Sequence, residues 1–114
     1  MNMRGRLVLF LAAAFLLGFA PGGEADSQTA STITIQTFQF KPKQLEVKAG
    51  TAVTWINQDD IRHTVTSGTP ENRDGRFDQP LTAGGKFTFT FTQPGTYAFF
   101  CDRHQHMRGD IHVK

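Results

Sequence analysis

The sequence predicts an all-β protein, a Greek-key antiparallel β-sandwich of about seven to eight short strands. Three observations lead there. Apolar and polar residues alternate with a period of two in one segment after another, turn-forming residues fall between those segments, and no stretch after the N-terminal leader sustains the 3.6-residue period of a helix.

The leader comes first. Arg4 and Arg6 give it a positive start, and Leu7 to Ala20 is an unbroken apolar run. That run is shorter than the roughly 20 residues needed to span a bilayer. Small residues then offer cleavage after Ala20 or after Ala25, the pattern of a secretory signal. Arg4 and Arg6 flank Gly5, so they are not a twin-arginine pair, and no cysteine near the cleavage point could carry a lipid. The expected organisation is a signal peptide over residues 1–25 and one domain over 26–114, exported and, in a bacterium with two membranes, periplasmic. Stable membrane insertion is not expected.

After a Gly, Ser and Thr-rich lead-in, each strand has its own signature. Ile33 and Ile35 alternate with Thr32, Thr34 and Gln36; Leu45 and Val47 with Glu46 and Lys48; Val53 and Trp55 with Thr54. The polar turn Asn57-Gln58-Asp59-Asp60 precedes a strand beginning at His63-Thr64-Val65-Thr66. Thr69 to Pro80 carries Glu71, Asn72, Arg73, Asp74 and Arg76 and reads as a solvated irregular loop. Phe87, Phe89 and Phe91 then alternate with Lys86, Thr88 and Thr90, Thr96 to Phe100 forms the next strand, and a last one begins near Gly109. The breakers are Ala49-Gly50, Gly68-Thr69-Pro70, Gly84-Gly85 and Gln93-Pro94-Gly95. Most of the 11 phenylalanines and the single tryptophan, Trp55, lie in this region, enough apolar volume for one core between two sheets.

Charge excludes one class of function. The chain has 12 basic and 10 acidic residues, and losing Arg4 and Arg6 by cleavage after Ala20 brings the two level, while cleavage after Ala25 also removes Glu24 and leaves 10 against 9. Nucleic-acid binding, which needs a basic face, is not indicated.

The chemistry concentrates in Cys101-Asp102-Arg103-His104-Gln105-His106-Met107, between two strands, with His63 at the start of another. Cys101 is the only cysteine, so an exported chain cannot use it for an internal disulfide. A thiolate, two imidazoles and a thioether form a soft donor set, and a His2Cys site with a weak axial Met is the arrangement of blue-copper centres. Each residue also has a plainer reading. Cys101 could be a small buried hydrophobe, His63 a surface histidine, and Met107 a core plug where the loop rejoins the sheet. His112 alternates with Ile111 and Val113 and is expected to face solvent. His106 could point outward, the favoured reading, or compete for the metal.

The run from Gly95 to Gly109 resembles the ligand loop of the cupredoxins. Its Cys-x2-His-x2-Met spacing is similar to that of the amicyanin branch and shorter than the Cys-x2-His-x4-Met of plastocyanin and pseudoazurin. Upstream, Val53 to Asp59 leading into His63-Thr64-Val65 resembles the segment that carries the first histidine ligand. The resemblance covers nearly all of residues 31–114. It implies one type 1 copper, with His63, Cys101 and His104 as the trigonal set, Met107 axial, and His104 as the electron port at the surface. The chain departs from the pattern where Thr64 replaces the common Asn, where Asp102-Arg103 replaces Thr-Pro or Ser-Pro, and where His106 replaces an apolar residue.

The function expected from this is one-electron transfer by a small soluble carrier, not an enzyme and presumed monomeric, docking a redox partner (a dehydrogenase or cytochrome) at the His104 edge through Arg62, Arg103 and Arg108. Copper buffering or delivery is the alternative, distinguished by whether redox cycling is fast and reversible with copper retained. Copper oxidase or nitrite reductase chemistry would need further metal centres, and His104-Gln105-His106 is the only His-x-His pair. Zinc would suit Cys and two His but would gain little from Met.

Overall fold

A computed structural model of the protein describes residues 30–114; the expected signal segment, 1–25, and its cleavage point lie outside the described residues. Nine strands are described: β1 (Ala30–Ile35), β2 (Phe40–Lys41), β3 (Gln44–Val47), β4 (Thr51–Asn57), β5 (His63–Thr69), β6 (Asn72–Leu81), β7 (Lys86–Phe91), β8 (Gly95–Phe100) and β9 (Arg108–Val113). They form two sheets, β2-β1-β4-β7 and β3-β9-β8-β5-β6. The β-sandwich expected from the alternation is what forms. Most pairs are antiparallel, but β1 runs parallel to β4 and β3 parallel to β9.

The alternation settles which side chains fill the space between the sheets. Ile33, Ile35, Val53, Trp55 and Ile111 are fully buried, while the intervening threonines of β4 and β7 meet across the outer face, where the Thr54 and Thr88 hydroxyls share a 2.7 Å hydrogen bond. Trp55 is the centre of the core, with its ring 5.6 Å from Phe87, 5.6 Å from Phe77 and 5.4 Å from Phe99. Burial of each such side chain contributes about 1.5–3 kcal/mol relative to exposure.

One expectation is corrected. The stretch from Thr69 to Pro80 is not an irregular loop; most of it is β6, paired antiparallel with β5 along His63↔Leu81 to Thr69↔Asn72. β6 is an edge strand, and only Phe77 and Leu81 are buried along it. An edge strand with both faces largely wet has no alternation to reveal it, and its charges discourage pairing with another chain. Pro80 is tolerated there because an edge strand has an outward side that donates to nothing. The β5–β6 hairpin turns at Pro70 and Glu71, and a register shift between Thr66 and Gly68 lies just before it. Gly68 has φ +98°, and a Cβ there would sit 2.5 Å from the Asn72 carbonyl oxygen, so only glycine fits.

Two pairings decide what gathers at one end of the sandwich. Because β1 and β4 are parallel, with Ile35 opposite Asn57, the turn after β1 and the turn after β4 emerge side by side. Because β8 is antiparallel to both β5 and β9, the end of β8 meets the starts of β5 and β9. His63, Cys101 and Met107 all sit at these strand ends.

Candidate metal centre

His63 opens β5 and is completely buried. The turn that delivers it is fixed by Asn57, the last residue of β4, which is also fully buried. The Asn57 amide donates to the carbonyls of Ile61 (2.8 Å), Leu81 (3.1 Å) and Thr82 (3.2 Å), and its Oδ1 accepts from the Asp59 backbone N–H (3.0 Å). One side chain thereby holds the β4–β5 turn to the end of β6. Asp59 Oδ2 in turn lies 2.8 Å from His63 Nε2. With that nitrogen donating to the carboxylate, Nδ1 carries the free lone pair, and it faces Cys101 Sγ at 3.7 Å.

Asp59 also accepts from the backbone N–H groups of Thr37 (2.7 Å) and Phe38 (2.9 Å), in the turn after β1. Burial pushes its carboxyl pKa up, but the hydrogen bonds from Phe38, His63 and Thr37 outweigh that and leave it below the usual carboxylate value.

Cys101 follows β8 and is completely buried. The loop after it is closed by its own backbone: Cys101 N–H donates to the Met107 carbonyl (3.1 Å), and Met107 N–H to the His104 carbonyl (2.9 Å). This tight turn brings His104 Nδ1 to 3.9 Å from Cys101 Sγ. His104 is partly exposed, and its pKa lies below the ordinary histidine value. Desolvation is the main cause, with repulsion from His63, Arg103 and His106 adding to it and Asp59 opposing. Met107, at the loop's end, is 2% exposed. Two residues on, Gly109 admits no side chain, because a Cβ would lie 2.5 Å from both the Lys43 carbonyl oxygen and the Phe99 ring. The rejoining strand can therefore press close against the core.

Thr64 ties the two arms together. Its N–H donates to Cys101 Sγ (3.4 Å), and its Oγ1 accepts from the Asp102 N–H (2.7 Å) and shares a hydrogen bond with Thr66 Oγ1 (2.9 Å). The threonine that stands where the family pattern has asparagine thus still links the strand to the cysteine loop. His106 is exposed, with its ring 6.4 Å from that of His104. His112 is also exposed, and its Nδ1 pairs with Thr96 Oγ1 at 3.1 Å. Both point outward as expected.

The donor atoms of His63, Cys101 and His104 lie within 4.8 Å of one another. An ion about 2.0 Å from nitrogen and about 2.3 Å from sulfur would hold such atoms roughly 3.5–3.8 Å apart. The 3.7 and 3.9 Å separations are close to that spacing. One thiolate and two neutral imidazoles suit a soft or borderline cation, and both sulfur and nitrogen are acceptable to copper.

Of the supporting residues, Asn57 had a signal in the sequence. It continues the inward positions Val53 and Trp55, so a polar side chain was due on the core face. Asp59 had only its place in a polar turn, and Phe38 had no signal at all.

Comparison with known proteins agrees with the fold and the site. Residues 7–113 match the family model of the cupredoxin-like domain, and the chain belongs to that family. The family binds copper, and His63, Cys101 and His104 cluster as a site that could hold it. The chain is 31% identical to the amicyanin of Paracoccus denitrificans over 97 residues, covering 84% of this chain and 72% of that one. It is 28% identical to amicyanin-alpha of Methylorubrum extorquens, over 95% of this chain and 92% of the relative. Among solved structures, a purple cupredoxin from Nitrosopumilus maritimus superposes with a TM-score of 0.68 at 28% identity, covering 74% of this chain and 99% of the other.

Proposed function

We propose that the protein is an exported one-electron carrier with a single type 1 copper held by His63, Cys101 and His104, with Met107 as the axial ligand. The observation that carries this reading is the convergence of three donor atoms within 4.8 Å around a fully buried cysteine, with the His63 tautomer set by Asp59. When bound, the copper supplies the Cu(I)/Cu(II) couple. The residues of the chain provide a nearly fixed ligand frame: the Asn57 bonds hold one arm, the loop backbone holds the other, and Thr64 N–H at the sulfur is placed to tune the potential. His104 is the ligand nearest solvent and so sets the edge through which a partner exchanges an electron.

The docking surface of this reading is a basic rim around His104. Arg62 and Arg103 are exposed and make no ion pair among the described residues, whereas Arg108 pairs with Glu71 at 3.2 Å. Arg62 and Arg103 therefore carry most of the steering toward an acidic redox partner, and Arg108 less. Copper storage or delivery would use the same ligands, but a frame held this firmly favours retention of the metal through redox cycles. The leader over residues 1–25 belongs to this reading as the export signal, with the periplasm as the destination.

The test is the visible absorption of the chain from Asp26 onward after addition of Cu(II), beside a Cys101→Ser control. An intense thiolate-to-copper band that the control lacks, together with reversible one-electron voltammetry, is expected. Weak copper absorption alone, or a preference for zinc, would overturn the carrier reading.

A further inference from the structure

The two imidazoles are supported unequally, and Phe38 fills the gap. His63 has a carboxylate on its outer nitrogen. Among the described residues the His104 ring has no hydrogen-bond partner other than the Cys101 sulfur. Its close ring neighbours are His63, at 5.2 Å and 66°, and Phe38, whose ring meets His104 edge-on at 4.9 Å and an interplanar angle of 82° and meets His63 at 5.2 Å and 88°. One aromatic side chain thus packs against both.

Its position is unusual on two counts. Phe38 is 40% exposed, although its near neighbour Phe40 is buried in the aromatic core. It also has φ 59°, directly after Thr37 at φ 52°, so two consecutive non-glycine residues occupy the left-handed region. Side chains with a Cβ avoid that region, and such strain persists only where surroundings over-determine it. Here they do. The Asp59 carboxylate accepts from both strained residues' N–H groups, and Gln36 and Gln39 exchange backbone hydrogen bonds across the turn (2.9 and 3.2 Å). Asp59 is thereby common to His63 and to the turn that presents Phe38.

We infer that Phe38 is a positioning residue that holds the His104 imidazole in its ligating orientation, and that Asp59 sets it in place, so that one carboxylate orders both histidines: His63 directly and His104 through Phe38. The inference deepens the copper-site reading and rests on it for its metal readout alone.

Phe38→Gly separates this role from a structural one, because glycine relieves the left-handed strain while removing the ring. In the metal-free protein, the unfolding midpoint of F38G should equal or exceed that of the wild type, while NMR relaxation of the His104 ring should show increased motion. In the copper-loaded protein, extraction of the metal by excess EDTA should accelerate about tenfold, the lower end of what losing an outer-sphere partner does to metal binding. Asp59→Asn should accelerate extraction too, and F38G should add much less to D59N than to the wild type. Unchanged His104 ring dynamics in F38G would overturn the inference, as would independent, multiplying effects of the two substitutions. If the wild type fails to form the thiolate–copper band, the copper reading falls, and the metal-free NMR measurement still decides the role of Phe38.

Discussion

The two arms of the metal centre are built on different principles. The His63 arm, residues 57–63, is organised by side chains: buried Asn57 binds three carbonyls and one N–H, and Asp59 binds the histidine. The Cys101–Met107 arm is organised by its own backbone, through Cys101 N–H to Met107 and Met107 N–H to His104, with Thr64 Oγ1 as a support from outside. The first arm draws on residues far apart in the chain; the second is nearly self-contained. Substitution should therefore be costly in the first arm at positions that never touch the metal, and in the second mainly at the ligands themselves.

Asn57→Ala tests the contrast most severely. It strips the partner from the buried Leu81 carbonyl and from three part-buried backbone groups, each costing up to about 1–3 kcal/mol when left unsatisfied. The metal-free protein should lose about 3 kcal/mol in urea denaturation. Gln105→Ala, on the exposed crest of the other arm, should change stability by less than about 0.5 kcal/mol. Comparable losses from the two would dissolve the distinction.

Thr64→Val sharpens it, since Thr64 is the strut between the arms. Removing the hydroxyl leaves the Asp102 N–H without its acceptor and should cost about 1–2 kcal/mol, with Thr64→Ser recovering most of it in the same denaturation experiment. Full stability in T64V would show that the second arm needs no outside support.

A smaller effect is expected from pH. The lowered His104 pKa means that the unfolded chain takes up a proton first as pH falls below about 6.5, the ordinary value. The native state is then disfavoured, so the contribution from His104 is complete above that pH and is lost as pH falls through the folded pKa. The melting temperature of the metal-free protein, followed from pH 8 to pH 5, should fall more steeply for the wild type than for His104→Asn. Parallel curves would mean that His104 titrates alike in both states.

The least effect on stability is expected at the rim. Arg103→Glu should leave the fold within about 0.5 kcal/mol of the wild type, yet slow electron exchange of the copper form with the anion hexacyanoferrate and weaken the salt dependence of that rate. A salt-independent rate in the wild type would remove the basic rim from the docking model.

The contrast also explains what could be read from the chain. The second arm was legible because its candidate ligands lie close together in sequence, and a short loop between two strands has few ways to arrange Cys101, His104 and Met107. The core was legible because Ile33, Ile35, Val53 and Trp55 face one side of their strands and water lies on the other. β6 was hidden by the same logic: with water on both faces, nothing in its sequence distinguishes a strand from a loop.

By itself the sequence determined the sandwich, its buried faces and the candidate metal ligands, since these depend on local periodicity and on donor chemistry. Only the tertiary structure decided the parallel pairing of β1 with β4, and with it the meeting of Phe38, Asp59 and His63. That pairing follows from how two sheets share one core, a free energy summed over the whole domain. No local stretch of sequence carries it.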